Sequence, residues 1–242
     1  MKAVFVADEV DRDIGVLGDH LRASGATVAY LDRGRLVVDH VEADVVVLLG
    51  SNRSAHDAAQ AKIVSTEVDL VQRALMAETP VIGICYGAHV LARALGGSSR
   101  HGQLPERGWT EVVSSDERLC PTGRWAQMHH DVIVPAATST VIGWSPAGPQ
   151  AFIDQSLGAP AIGWQFHPEL TVSTLERWLR EGYSGSEGVD IGATLNAATR
   201  YARESLPVAH SLFHETFVYL GLTDSGHEVE PGRLFKQTFP TT

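Results

Sequence analysis

The chain has 242 residues, 44% of them hydrophobic and 20% charged, enough for one large or two small domains with a substantial core. Nineteen basic residues against twenty-nine acidic ones leave a net charge of −10, a poor footprint for binding nucleic acid or an anionic membrane. Cys85 and Cys120 are too few for a disulfide framework. No apolar run approaches the roughly 20 residues that cross a bilayer, and the N-terminus reads as a strand rather than a targeting segment. A cytoplasmic setting is therefore expected.

Short apolar runs alternate with longer amphipathic ones. Residues 2–7 read as a strand, 10–24 as a helix and 26–31 as a second strand. The valine-rich run 44–50 has the composition of a strand buried on both faces of a parallel sheet. A long helical pattern covers 58–78, and 80–84 is the next central strand. The β-α-β alternation predicts an α/β fold: a doubly wound, largely parallel sheet flanked by helices. Beyond Gly97 the pattern changes. Segments 109–114, 132–135, 141–144, 150–153 and 161–166 read as shorter strands that add antiparallel pairs to the sheet. A helix is expected over 171–183, capped by Thr171 or Ser173. Two more follow over 189–204 and 206–220, then a loose tail. Their apolar stripes, Leu206/Ala209/Leu212 and Phe213/Phe217/Leu220, read as core-facing.

In such folds ligands bind beyond the C-terminal ends of the strands, where Gly50 and Cys85 both fall. Cys85 sits between Gly83 and Gly87, at the turn from a strand into a helix. Glycines on both sides permit the tight turn and close backbone approach of a nucleophile elbow. The start of the next helix offers unpaired N–H groups and the positive end of its dipole, which favour thiolate, the nucleophilic form. The plain alternative is a small buried side chain packed between strand and helix. A cysteine nucleophile needs a base and a group to orient it. His167 and Glu169 end a predicted strand two residues apart, hence on one side, with Pro168 stiffening the link. A carboxylate there can hold one imidazole nitrogen while the other faces the thiolate.

In order along the chain, "LLGSNRSAHD" (48–57), "GICYGAH" (83–89) and "WQFHPEL" (164–170) resemble the motifs of class I, triad-type glutamine amidotransferase domains. The likeness is nearest to the glutaminase domain of GMP synthetases and their stand-alone relatives. It continues through "LPERGWTEV" (104–112) and "WAQMHHD" (125–131), so it spans about 1–182, leaving 183–242 as a helical extension packed on the same domain. The resemblance implies that Cys85 attacks the glutamine side-chain amide and forms a γ-glutamyl thioester. His167 would serve as acid and base, and Glu169 would orient it. Backbone N–H groups of Ser51 and Tyr86 would hold the oxyanion. Gly50, Gly87, His89, His129 and Asp131 would lie around the substrate.

Two departures from the family pattern stand out. Gly50-Ser51-Asn52 replaces the common Gly-Gly-Pro, and His89 replaces a common glutamine that helps bind the amino-acid end of the substrate. The second leaves glutamine specificity open. The thioester chemistry serves two activities: glutamine hydrolysis, which feeds ammonia to an acceptor or a separate synthase subunit, and hydrolysis of γ-glutamyl peptides or amides. A binding or regulatory module without turnover is a third reading. No metal is expected, because His129 and His130, consecutive on a strand, point to opposite faces and no further spaced ligands stand near them in sequence. Nor is a cofactor expected. The Ser/Gly-rich stretch 183–193 faintly resembles a nucleotide loop but follows a helix rather than a strand, so it reads as a polar connection.

Overall fold

The computed structural model describes residues 1–37, 41–182 and 190–223. Its framework is a nine-stranded sheet: β1 (Lys2–Ala7), β2 (Thr27–Asp32), β3 (Val45–Leu48), β4 (Val81–Ile84), β5 (Ser98–Ser114), β6 (Gly123–Val134), β7 (Thr140–Ser145), β8 (Gly148–Asp154) and β9 (Ala161–Trp164). The spatial order is β2-β1-β3-β4-β9-β8-β7-β5-β6. The first five of these run parallel to one another, and every pairing from β9 outward to β6 is antiparallel. The expected α/β architecture, a largely parallel sheet with antiparallel additions, is what the structure has.

The central strands are apolar throughout because helices cover both faces. One face packs Phe5, Ile82 and Trp164 against α1 (Gly15–Ala23) and α5 (Ile191–Tyr219), which contribute Leu17, Leu21, Phe213 and Phe217. The other packs Val46, Leu48 and Val81 against α2 (Ala61–Met76) and α3 (Tyr86–Ala94), through Val64, Leu75 and Leu91. The short α4 (Val172–Arg180) adds a small cluster, Leu175 and Leu179 with Ala198 of α5. Thr171 caps α4, its hydroxyl accepting from the Thr174 N–H.

Several boundaries differ from expectation. The first helix starts at Gly15 rather than residue 10, since the acids before it are engaged elsewhere. Asp11 accepts from Arg177 and from the Trp178 indole, and Asp13 from the Thr174 hydroxyl. β5 and β6 are much longer than the segments 109–114 and 132–135, and the register breaks between His101 and Glu106, which hides the alternation. The helices expected at 189–204 and 206–220 are one helix with Pro207 inside it. Proline normally ends a helix by removing a donor and crowding the preceding turn. Here buried Ala198 and Ala202 before it, and Ala209, Leu212 and Phe213 after it, anchor both halves. Residues 183–189 of the connection and residues 224–242 of the tail lie outside the described part. Among the described residues no helix is long and apolar enough to cross a membrane.

Candidate active site

The elbow after β4 has the conformation its glycines allow. Cys85 has φ +50°, one of two non-glycine residues with positive φ among those described, at a typical cost of about 1–3 kcal/mol. A Cβ on Gly83 would lie 2.7 Å from the Gly87 carbonyl oxygen, and one on Gly87 would lie 2.1 Å from the Leu48 carbonyl oxygen. Any side chain at either position would push α3 off the sheet. Gly87 therefore serves the packing of α3 on β3.

Above the elbow opens a cavity of about 540 Å³, lined among others by Gly50, Ser51, Cys85, Tyr86, His167 and Glu169. β9 ends at Trp164, so His167 and Glu169 stand on the turn after it and not on the strand itself. Gln165 N–H still bonds the Gln150 carbonyl of β8, and His167 N–H then bonds the Ala126 carbonyl of β6, which anchors the turn at both points. The buried His167 Nδ1 is 2.8 Å from Glu169 Oε1. Burial opposes the imidazolium, but the Glu169 carboxylate and the Cys85 sulfur, both close, outweigh it and hold the His167 pKa well above its usual value. Trp178 packs edge-on against His167, ring centres 5.2 Å apart, and its N–H is tied to Asp11 at 2.7 Å. A Cβ on Gly50 would lie 3.1 Å from the His167 ring and 3.7 Å from Cys85 Cβ. The loop after β3, the elbow and the post-β9 turn thus meet at one point.

A buried network that the sequence did not signal braces this junction. Arg33 donates to Glu67 at 2.6 Å, to Asp8 at 2.8 Å and to the Leu49 carbonyl at 2.8 Å. The Tyr86 hydroxyl donates to the other Glu67 oxygen at 2.6 Å, and the Ser51 hydroxyl donates to Asp8 at 2.6 Å. Ser51 and Tyr86 are thereby fastened to a common hub. Burial alone would lower the Arg33 pKa, but Glu67 and Asp8 raise it. Its charge persists.

His89, His129 and Asp131 line the same cavity. His89 is buried, its Nδ1 2.8 Å from the Ser99 hydroxyl, and burial drives its pKa down to about 4. It is a neutral ring at neutral pH. His129 is committed on both nitrogens, to the Asp131 carbonyl and to Glu106, each at 3.0 Å. Asp131 reaches the cavity and bonds the Ser54 hydroxyl. Cys120 lies on β7's flank of the core, where burial raises its thiol to about 12.

Residues 20–183 match the family model described as glutamine amidotransferase class-I. The chain belongs to that family. Among sequence relatives, GMP synthase [glutamine-hydrolyzing] of Aeropyrum pernix is 31% identical over 137 residues, covering 52% of this chain and 24% of that protein. A single subunit of the glutamine-hydrolyzing GMP synthase from Methanoculleus marisnigri is 32% identical over 115 residues, covering 44% of this chain and 60% of that relative. The chain thus matches under two thirds of the length of either relative. Among solved structures, a glutamine amidotransferase from Thermotoga maritima superposes with a TM-score of 0.77 at 25% identity, covering 88% of this chain and 96% of that one. A glutamine amidotransferase from Methylobacillus flagellatus shares the fold, with a TM-score of 0.75 at 18% identity over 94% of this chain and 98% of that one. The chain shares the fold of these two solved structures over most of its length.

Proposed function

We propose that the protein hydrolyses the side-chain amide of glutamine to glutamate and ammonia, with Cys85 as nucleophile, His167 as acid and base, and Glu169 as the group that orients it. The observation that carries this reading is the His167 to Glu169 hydrogen bond of 2.8 Å, beside a cysteine held at positive φ on the cavity floor. The sulfur bonds to the amide carbon while the carbon–nitrogen bond breaks. His167 gives its proton to the leaving nitrogen, and ammonia departs. Water then attacks the thioester with His167 as base, freeing glutamate and restoring the cysteine sulfur beside a protonated His167. Backbone N–H groups of Ser51 and Tyr86 stabilise the oxyanion, and losing one such donor typically costs about 10²–10³ in rate. His89, which lines the same cavity, faces the amino-acid end of the substrate.

A second reading, hydrolysis of γ-glutamyl peptides or amides, is favoured by one feature. The cavity of about 540 Å³ lies in the range of roughly 300–1,000 Å³ that accommodates drug-sized ligands, so a leaving group larger than ammonia has room. The likeness to one chain of a multi-subunit GMP synthase supports an ammonia acceptor on another chain. Assays with glutamine and with γ-glutamyl dipeptides separate the two activities: ammonia appears from the first, free amino acid from the second. Absence of turnover on both, by folded protein, leaves a binding or regulatory module.

A further inference from the structure

We propose that His56, His101 and Asp131 form a binding site for a divalent transition-metal ion of the zinc class, at the rim of the same cavity. The three come from separate parts of the chain: the loop after β3, the start of β5, and β6. His101 and Asp131 are directly paired across β5 and β6, so their side chains share a face. The His56 loop closes over that face.

The donor atoms are already gathered. His56 Nδ1 lies 3.2 Å from Asp131 Oδ2, and His101 Nδ1 lies 3.4 Å from Asp131 Oδ1. One ligand atom from each residue lies within 4.8 Å of those of the other two. Metal–ligand bonds of about 2.0–2.2 Å in a tetrahedron put neighbouring donors roughly 3.3–3.6 Å apart, close to these separations. Two neutral imidazoles and one carboxylate form a donor set of charge −1 that suits a dication of intermediate softness. Groups outside the set preset its orientation. The Ser54 hydroxyl bonds Asp131, and its 2.8 Å contact with His56 Nδ1 is one that a bound ion would replace, while His130 lies against the His101 ring with centres 3.9 Å apart. His101 is 62% exposed and His56 32% exposed, so an ion has access and a fourth position stays open to water, the arrangement of three-ligand zinc sites. Coordination through both Nδ1 atoms places the remaining ring protons on Nε2.

The test is independent of glutamine turnover. Chelator-stripped protein carrying Cys85→Ala, which removes the cavity's cysteine as a competing metal ligand, is titrated with zinc by calorimetry and with cobalt(II) by visible absorption. The expected result is one equivalent bound, with a cobalt spectrum of four-coordinate type. His56→Ala and His101→Ala, both at accessible positions, each weaken binding by more than the roughly 10–100-fold that loss of an outer partner costs, and Ser54→Ala weakens it within that range. No zinc or cobalt binding, or binding unchanged by both histidine substitutions, would overturn the site.

Discussion

The guanidinium of Arg33 lies 4.7 Å from the centre of the Tyr86 ring, and both side chains are bonded to one buried carboxylate, Glu67. This relationship couples the start of α3 to the ends of β1 and β3, since Arg33 also holds Asp8 and the Leu49 carbonyl. The two proposed oxyanion donors are therefore fixed relative to each other by a charge that neither motif contains. Arg33→Ala would leave Glu67 buried without its partner, a loss worth about 3–5 kcal/mol. Denaturant titration is expected to show a destabilisation of that size. Tyr86→Phe, which leaves one oxygen of the buried Glu67 without its donor, should cost about 1–3 kcal/mol and keep the fold.

Glu169→Gln removes the largest influence that favours charged His167. The proposed mechanism needs imidazolium to protonate the leaving nitrogen, so the alkaline limb of kcat/KM should move to lower pH in the variant. Stability gives the matching sign. A raised native pKa contributes stability that is complete below the unfolded value, about 6.5 for histidine, and is lost as pH climbs through the native value. The gap in unfolding free energy between wild type and Glu169→Gln should accordingly be widest near about pH 6 and narrow above it.

Much of this site was legible in the sequence, for a physical reason. Val45–Leu48 and Val81–Ile84 are buried on both faces, so their composition reports their position, and Gly83 and Gly87 report contacts that exclude any Cβ. Arg33 was not legible. Its partners Glu67 and Asp8 are 34 and 25 residues away, and an arginine after a strand looks like any surface arginine. His56 and His101 were missed likewise, because the pairing of β5 with β6 brings His101 to Asp131 and the loop after β3 brings His56, neither of which local spacing reports. The single long α5 escaped because Pro207 is a local stop signal that packing on both sides overrides.

The elbow should tolerate no added carbon. A Cβ at residue 87 would sit 2.1 Å from a backbone oxygen that cannot rotate away. Gly87→Ala is expected to cost at least about 3 kcal/mol, read as a drop in the denaturant midpoint, together with loss of activity.

The α1–α5 seam carries its own pH dependence. Burial first, then His214 and His210, lower the His20 pKa to about 4, and its ring packs on Phe217 with centres 4.9 Å apart. Native protein resists a proton that the unfolded chain accepts, so this contribution is complete above about pH 6.5 and is lost as pH falls. Urea midpoints should decline as pH falls from there toward the native value of about 4. His20→Leu should flatten that decline.

Covalent capture at residue 85 tests the central claim most directly. A glutamine-like diazoketone should add once, at Cys85 and not at Cys120, whose buried thiol is raised to about 12. Excess glutamine should slow the labelling, and Cys85→Ala should abolish both the adduct and ammonia release. Folded wild-type protein that takes no adduct, or a Cys85→Ala variant that still releases ammonia from glutamine, would contradict the account.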